Sequence, residues 1–591
     1  MKKIAYRQMP IMFFGLIVLA QMLFLPSIAS AVDSSKAKQS AFVEGFNFIP
    51  NGLPLVETYG ITRQVDPYFK QQAYLKADNV GSGDKFGHAA AIEGDTLVIG
   101  APGEDTSGIN SGAVYVFVRS GESWTQQAFL KASNSGGDDN FGIAVDIDGD
   151  TIVVGAYGEA SNGSGPADNS ALQAGAAYVF VREGDIWAQQ GYLKSDSPEL
   201  DDQFGEAVAV DGDTIVVGVQ TEDEAFVFER VGVSWAQQDY LTASNDDVFS
   251  DYFGCSVGIS GDVIVVGAEL EGEDPADDSL RSSGAAYVFV LDPKLGWTEQ
   301  AYLKADNLGK GDNFGFSVSI SGDLVVIGAP HEESNGSNPE DNSVDGAGAA
   351  YVFQREETTW TQQAYLKASN VEQHDNFGHD VAIDGNSLVI SAIGKEDSGA
   401  VYVFSMDENN WSQQAYLRAS NSDVEDGFGP SNGLDISGNF ILVGANYEDG
   451  DGSNPEDNSA PEAGAAYVFD KSFTFSGNVY QGPMADENHP LSGVGVSLYC
   501  SADAFRLGTK IANTTTGTAG AYALETFDVC DYYNIYEVDS EGYFSLGASS
   551  EDGVVLNENR IRYSTPLDGQ NLSNNKFWDE LRKLFLPLIL R

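Results

Sequence analysis

The sequence predicts an all-β chain: a seven-bladed β-propeller with four strands per blade, followed by a small β-sandwich. Three observations predict it. Phe-Gly recurs seven times, at Phe86, Phe141, Phe204, Phe253, Phe314, Phe377 and Phe428, roughly every 57 residues, a period that fits one supersecondary unit. Each unit carries four short β-branched or aromatic runs bounded by Gly, Asp or Asn, and such runs read as strands. After Phe469 the repeat stops and a sparser β-like pattern begins.

The chain opens on a targeting segment, assigned to residues 1–31. Lys2, Lys3 and Arg7 form its charged start, Ile11 to Leu25 is almost wholly apolar, and Ala29-Ser30-Ala31 is a small-residue cleavage signature. The apolar run is shorter than the ~20 residues a membrane span needs, and no other stretch is long and apolar enough. Export, to the medium or the cell surface, is therefore expected. Residues 32–64 form an N-terminal extension, and the repeats occupy 65–471.

Within each unit the first strand follows Phe-Gly and alternates with small residues, as in Ile143-Ala-Val-Asp-Ile, which suits a crowded central axis. The second is apolar on both faces, as in Thr96-Leu-Val-Ile-Gly100 and Thr151-Ile-Val-Val-Gly155, which suits a strand between neighbouring blades. The third is Tyr-Val-Phe or a close variant, from Tyr115 to Tyr467. The fourth is of the Gln-Gln-Ala-Tyr-Leu-Lys-Ala type, six of its seven copies led by Trp124, Trp187, Trp235, Trp297, Trp360 and Trp411, with Phe69 in that place in the first. It is bulky and polar, as an edge that resists further pairing should be. The copy at Gln71–Ala77 precedes the first Phe-Gly and none follows Tyr467, so Gln71–Ala77 is predicted to pair beside Tyr467–Phe469 and close the ring.

Phe-Gly, then Gly-Ala-Pro at Gly100 and Gly328, then Gly-Ala-Val-Tyr at Gly112, resemble FG-GAP repeats, the units of integrin α-subunit propellers and of many exported bacterial propellers. The resemblance implies binding or adhesion rather than catalysis. It departs at one point: the calcium loop usual between Phe-Gly and Gly-Ala-Pro is here only Glu93-Gly-Asp, Asp148-Gly-Asp, Ser321-Gly-Asp and similar, hairpin turns too short to cage a metal. Residues 473–575 resemble prealbumin-like β-sandwich modules of the Cna-B or SdrD-B type, through Ser476-Gly-Asn-Val-Tyr, Pro490-Leu-Ser-Gly-Val-Gly-Val and Thr514-Thr-Thr-Gly-Thr-Ala-Gly. Residues 576–591 read as a tail. Of the three cysteines, Cys500 and Cys530 flank strands of this small domain and are expected to form a disulfide in an oxidising compartment; Cys255 is expected to be a buried free thiol.

The 88 acidic and 31 basic residues give a net charge of −57. This excludes nucleic acid as a default partner, which needs a basic surface. No G-x-S-x-G, P-loop or zinc-type histidine spacing is present among the five histidines, so no catalytic residue is assigned. Asp stands two residues before every Phe-Gly (Asp84, Asp139, Asp202, Asp251, Asp312, Asp375, Asp426); a turn-capping role is favoured over a ring of metal ligands. Four units carry a long loop between the second and third strands, with oxygen side chains at relative positions 1, 3, 5 and 9, a hard-cation spacing. They are Asp449, Asp451, Ser453 and Asp457; Glu333, Asn335, Ser337 and Asp341; Glu269, Glu271, Glu273 and Asp277; and Asn162, Ser164 and Asp168, with Ala160 in the first place. Two readings stand level, calcium ligands and solvated turns. The functional expectation is a monomeric, exported or cell-surface binding module whose acidic long-loop face recognises a protein or a glycan. The alternatives are an enzyme acting on polysaccharide and a spacer without a ligand.

Overall fold

The computed structural model describes residues 69–581 apart from short internal segments, among them 246–249, 273–281, 337–340 and 453–456 in the repeats and 482–491, 527–531, 539–542 and 565–570 beyond them. The leader, the extension 32–64 and the apolar stretch at 584–590 lie outside the described residues.

Between Phe69 and Lys471 the strands form seven separate four-stranded antiparallel sheets, the blades of a propeller. In the first blade they run outward as Ala89–Glu93, Thr96–Ala101, Ala113–Ser120 and Ser123–Leu130. The second strand is buried at every residue, because a blade faces a neighbour on both sides. The apolar cores accordingly lie between blades: Leu97 and Ile99 pack with Phe440 and Leu442 of the seventh blade, and Val98 and Val116 with Ile152 and Val154 of the second. Six-fold repetition of a fully buried tyrosine, from Tyr115 to Tyr467, and the buried Phe of each Phe-Gly fill the remaining space.

Glycine appears in the motif because two blades meet there backbone to backbone. Gly142 has φ +93°, and a Cβ on Gly100 of the preceding blade would stand 2.0 Å from the Gly142 carbonyl oxygen. Gly155 against Gly205, Gly328 against Gly378 and Gly444 against Gly87 repeat the contact at 1.8–2.0 Å. No side chain fits at such a distance, and the left-handed φ favours glycine independently.

The ring closes as the sequence predicts. Phe69–Leu75 is the outermost strand of the seventh blade, antiparallel to Ala465–Lys471, with Gln71 opposite Phe469 and Tyr74 opposite Tyr467. A second closure lies in the turns between first and second strands. The residue before each turn glycine accepts a hydrogen bond from the turn N–H of the next blade: Asp148 from Gly212 (2.7 Å), Asp211 from Gly261 (2.6 Å), Ser260 from Gly322 (3.1 Å), Ser321 from Gly385 (3.1 Å), Asp384 from Gly438 (2.7 Å) and Ser437 from Gly94 (3.1 Å), with Glu93 and Gly149 completing the circle. The short turns thus work as blade-to-blade links.

Among the described residues beyond Lys471, nine strands form sheets of four and five strands. Val479, Val496, Leu498, Tyr522, Leu524, Ile535 and Ile561 are buried and supply a β-sandwich core. The strand Asn571–Leu581 pairs in parallel with Phe473–Gln481, and so runs through the start of the segment read as a tail. Cys500 stands in the strand Gly495–Ser501, and Cys530 lies outside the described residues, as does the expected bridge. Cys255 is a free, half-buried thiol on the innermost strand Phe253–Ser260, pushed up to about 12 by burial.

Candidate functional site

In an up-and-down blade the connections from strand two to three and from strand four to the next blade emerge at one end. Their backbones interlock here: Asp138 N–H donates to Ile109 O (2.7 Å), Gln203 to Gln173 (2.8 Å), Asn376 to Gly346 (2.9 Å) and Lys85 to Glu462 (3.0 Å). The two loop sets therefore build one continuous face. Asp105, Asp138, Asp201, Asp345, Glu372 and Glu462 are exposed on it.

Under this face sits a polar cluster that the sequence reading missed. Four residues after the Gly of each second strand, or after Ser391 in its place in the sixth blade, comes Glu104, Glu159, Glu222, Glu271, Glu332, Lys395 or Glu448. Four of these carboxylates pair with the Lys of the fourth strand: Lys131–Glu104 at 2.7 Å, Lys194–Glu159 at 3.0 Å, Lys367–Glu332 at 2.7 Å and Lys76–Glu448 at 2.5 Å. Every one of these side chains is buried or nearly so, and burial pulls the ammonium pKa of Lys76, Lys194 and Lys367 downward. Three residues after the Lys, an Asn reaches the Glu of the following blade, as Asn134 does to Glu159 (3.0 Å) and Asn307 to Glu332 (3.1 Å), while accepting the third-strand tyrosine hydroxyl, Tyr178 at 2.9 Å and Tyr351 at 3.0 Å. Where it occurs, Lys-Ala-x-Asn thus ties one blade to the next. In the sixth blade the signs exchange: Lys395 pairs with Glu372 (2.9 Å) and Asp375 (3.2 Å), and Arg418 with Glu396. The recurrent Gly-Ala-x-x-Glu and Lys-Ala-x-Asn were the available signal.

The aspartates two before Phe-Gly are buried turn acceptors. Asp84 takes the Gly81 N–H at 2.8 Å, Asp139 that of Gly136 at 2.6 Å, Asp312 that of Gly309 at 2.9 Å and Asp426 that of Asp423 at 2.7 Å. Burial raises their pKa values, to about 6 for Asp84, Asp139 and Asp426 and about 7 for Asp312.

The long-loop oxygens are distributed among several environments. In the fourth blade Glu269 accepts from Asn313 (3.1 Å) and lines the central cavity, whereas Glu271 belongs to the buried cluster, held by Asn245 (3.1 Å) and Tyr302 (3.2 Å). Glu273 and Asp277 lie outside the described residues, as do Ser337 and Ser453. In the second, fifth and seventh blades the ninth-position carboxylate accepts a serine hydroxyl two residues on: Ser170 to Asp168 (2.8 Å), Ser343 to Asp341 (2.7 Å) and Ser459 to Asp457 (2.6 Å). Asn335 reaches the same Ser343 at 3.4 Å, and Asp449 accepts the Glu462 N–H at 2.8 Å. Glu333 contributes its carbonyl to Val344 (2.8 Å), and Asp451 is exposed beside Gly452. Among the described residues no three His, Cys, Asp or Glu side chains stand together as a metal-holding group. The donor set of the fifth and seventh loops is oxygen-only, which fits a hard cation; that of the fourth is split between two environments and does not.

The innermost strands surround a central cavity of about 460 Å³ lined in part by Asp146, Glu206, Glu269, Asp380 and Asp435. Three of these acids stitch neighbouring blades: Asp146 accepts from Val210 N–H (2.7 Å), Asp380 from Leu434 (3.1 Å) and Asp435 from Ile92 (2.7 Å). Desolvation raises Asp146 to about 8 and Asp380 and Asp435 to about 7.

No curated protein matches the chain. The FG-GAP repeat matches it seven times, over residues 69–117, 124–180, 187–228, 235–289, 297–353, 360–404 and 411–469. Each match begins on an outermost strand and ends on a third strand, so the sequence repeat is offset by one strand from the structural blade. Among the described residues no helix is long and apolar enough to cross a membrane. With more than half its length so matched and seven four-stranded blades built from those segments, the chain belongs to the FG-GAP repeat family.

Proposed function

We propose that this protein is an exported or cell-surface binding module, acting in adhesion or ligand recognition, and that it holds a protein or glycan ligand on the acidic face built from the two interlocked loop sets. The observation that carries the proposal is that interlocking: the loops that vary most between blades, and that hold the exposed acids, lie on one surface supported by a rigid ring. Binding residues on variable loops over a rigid scaffold are a general arrangement. The opposite end is committed to structure, since its acids are engaged by turn N–H groups and by arginines, as in Arg119–Asp95 (2.5 Å) and Arg182–Asp150 (2.7 Å). The field of the loop face favours a basic or cation-bridged partner, and calcium in the loops of the fifth and seventh blades would supply such a bridge.

The test is a glycan-array and cell-binding screen of the purified chain, with and without calcium. Reversing Asp105, Asp138 and Asp345 should abolish capture, and reversing Asp95 and Asp150 should not. Capture that survives the first set and fails with the second overturns the assignment.

A further inference from the structure

The third blade breaks the buried cluster, and the break leaves a cavity. Three of its positions differ from the pattern. Thr242 stands where other blades have a Lys or, in the sixth, Arg418, Phe226 where they have the third-strand Tyr, and Ser197 where they have the linking Asn; only Glu222 and the fourth-strand Tyr240 remain. The loop between second and third strands is also the shortest, Gln220–Asp223, so nothing folds over the gap. The result is a cavity of about 350 Å³ lined by Asp196, Glu199, Asp202, Glu222, Glu224 and Tyr240, among others.

Three observations give this cavity a ligand chemistry. First, in the first, second, fifth and seventh blades the equivalent space holds a lysine ammonium on the equivalent Glu, so the protein itself shows what this geometry takes. Second, Lys304 and Lys76 stand 5.6 and 6.0 Å over the rings of Tyr302 and Tyr74, the residues that correspond to Tyr240, which here is 58% exposed with its ring uncovered. Third, the linker into each other blade donates an N–H to the first Gln or Glu of the fourth strand, as Ser133 does to Gln189 (2.9 Å) and Asp306 to Gln362 (3.1 Å). In the third blade that bond is missing, and Gln237 Oε1, a lining group closed off from solvent, has no donor. Burial and mutual repulsion raise Glu222 and Glu224, as expected where carboxylates are kept together without a cation beside them.

We propose that the third-blade cavity binds an external primary ammonium group, a lysine side chain of a partner or a free alkylamine, in the place that the protein's own lysine fills in four of the other blades. The proposal refines the acidic-face reading and rests on it, because the cavity opens between loops of that face. Carboxylates and the Tyr240 ring would receive the ammonium, and the rest of the partner would lie over the open side.

The experiment titrates the full chain with Nα-acetyl-lysine amide, with the same compound acetylated at Nε, and with a lysine-bearing peptide, by calorimetry and by thermal shift. Lysine amide should bind and the Nε-acetylated form should not. T242K returns the missing side chain to the cavity and should weaken lysine-amide binding at least about tenfold, the worth of a charge-assisted contact. E222Q, a nearly isosteric change at an exposed residue, should weaken it in the same direction. Peptide binding tighter than lysine amide, and equally sensitive to T242K, identifies a partner side chain as the source; equal affinities identify the free amine. Equal binding of the acetylated compound, binding unchanged in both variants, or tighter binding of calcium with full displacement of the amine each overturns the proposal. Charge reversal at Asp105 and Asp345 separates the cavity from the face. Amine binding that survives it supports the cavity, and amine binding that depends on it but not on Thr242 overturns the cavity and leaves the wider reading standing.

Discussion

Glu332 and Lys367 are both almost fully removed from water and 2.7 Å apart, with Asn307 and Tyr365 satisfying the remaining carboxylate positions. Removing one partner of such a pair leaves a buried charge without compensation, which costs about 3–5 kcal/mol. Glu332→Ala should therefore lower stability by about that amount, and Glu332→Leu with Lys367→Met should recover most of it, since well-packed apolar replacements are often neutral. Urea unfolding of the single and double variants measures both; equal loss in the two would refute the account. At this scale the sequence was legible where a residue's role is local. The Asp before Phe-Gly reads as a turn acceptor from its position alone, and Asp84 and Asp139 are such acceptors. The Glu of Gly-Ala-x-x-Glu was not legible, because its Lys lies 27–35 residues further on in the chain, and for Glu448 372 residues earlier.

Strands and loops divide the same way. Four strands per unit, and the closure by Gln71–Ala77, follow from periodicity and from counting, because each unit repeats one local pattern and only one strand is left over. Deleting residues 65–78 would remove the strand Phe69–Leu75, the Lys76–Glu448 pair and the Asp78 N–H bond to Gln126 together. It would leave Ala465–Lys471 as an open edge, which invites pairing with other chains. Loss of cooperative melting and growth of aggregates by light scattering are expected, and a truncated chain that melts like the parent would sink the closure argument. The long loops resist reading because one spacing of oxygens serves two purposes: Glu271 satisfies it and yet lies in the buried cluster. In the seventh blade Asp451 is exposed and Asp449 has one oxygen engaged by Glu462, so calcium is proposed there. Extracellular modules bind calcium at about 0.1–1 mM, and a site at ten times its dissociation constant gains about 1.4 kcal/mol. Melting should rise with millimolar calcium and fall with chelator, and Asp449→Ala with Asp451→Ala should lose part of that response. A melting temperature indifferent to both additions would assign these loops to solvated turns.

The whole molecule carries its acids in two populations, and they respond differently to pH. Those on the loop face are solvated, and salt screens their repulsion. Those of the inner ring and beneath Phe-Gly are buried, and their folded-state pKa values lie above the ordinary carboxylate range: about 6 for Asp84, Asp139 and Asp426, about 7 for Asp312, Asp380 and Asp435, and about 8 for Asp146. An unfolded chain releases these protons near pH 4, while the folded chain holds them until pH 6–8. Between those limits the unfolded state binds fewer protons, so stability falls as pH rises. His88 and His379 oppose this below pH 6.5, because burial lowers both to about 4 and the unfolded chain then binds the extra protons. Above pH 6.5 the histidines are neutral in both states and the carboxylates act alone. The urea midpoint should therefore decline from pH 6.5 to 8.5, and 0.5 M salt should leave the decline in place, because buried groups are poorly screened. Asp435→Asn keeps one acceptor for the Ile92 and Ile436 N–H groups and removes the titration. It should be less stable than the parent at pH 6.5 and show a shallower decline above it. A midpoint that is flat or rises across this window, or a slope in the variant equal to that of the parent, would place these carboxylates in ordinary solvated surroundings and remove the inner ring as a source of pH sensitivity.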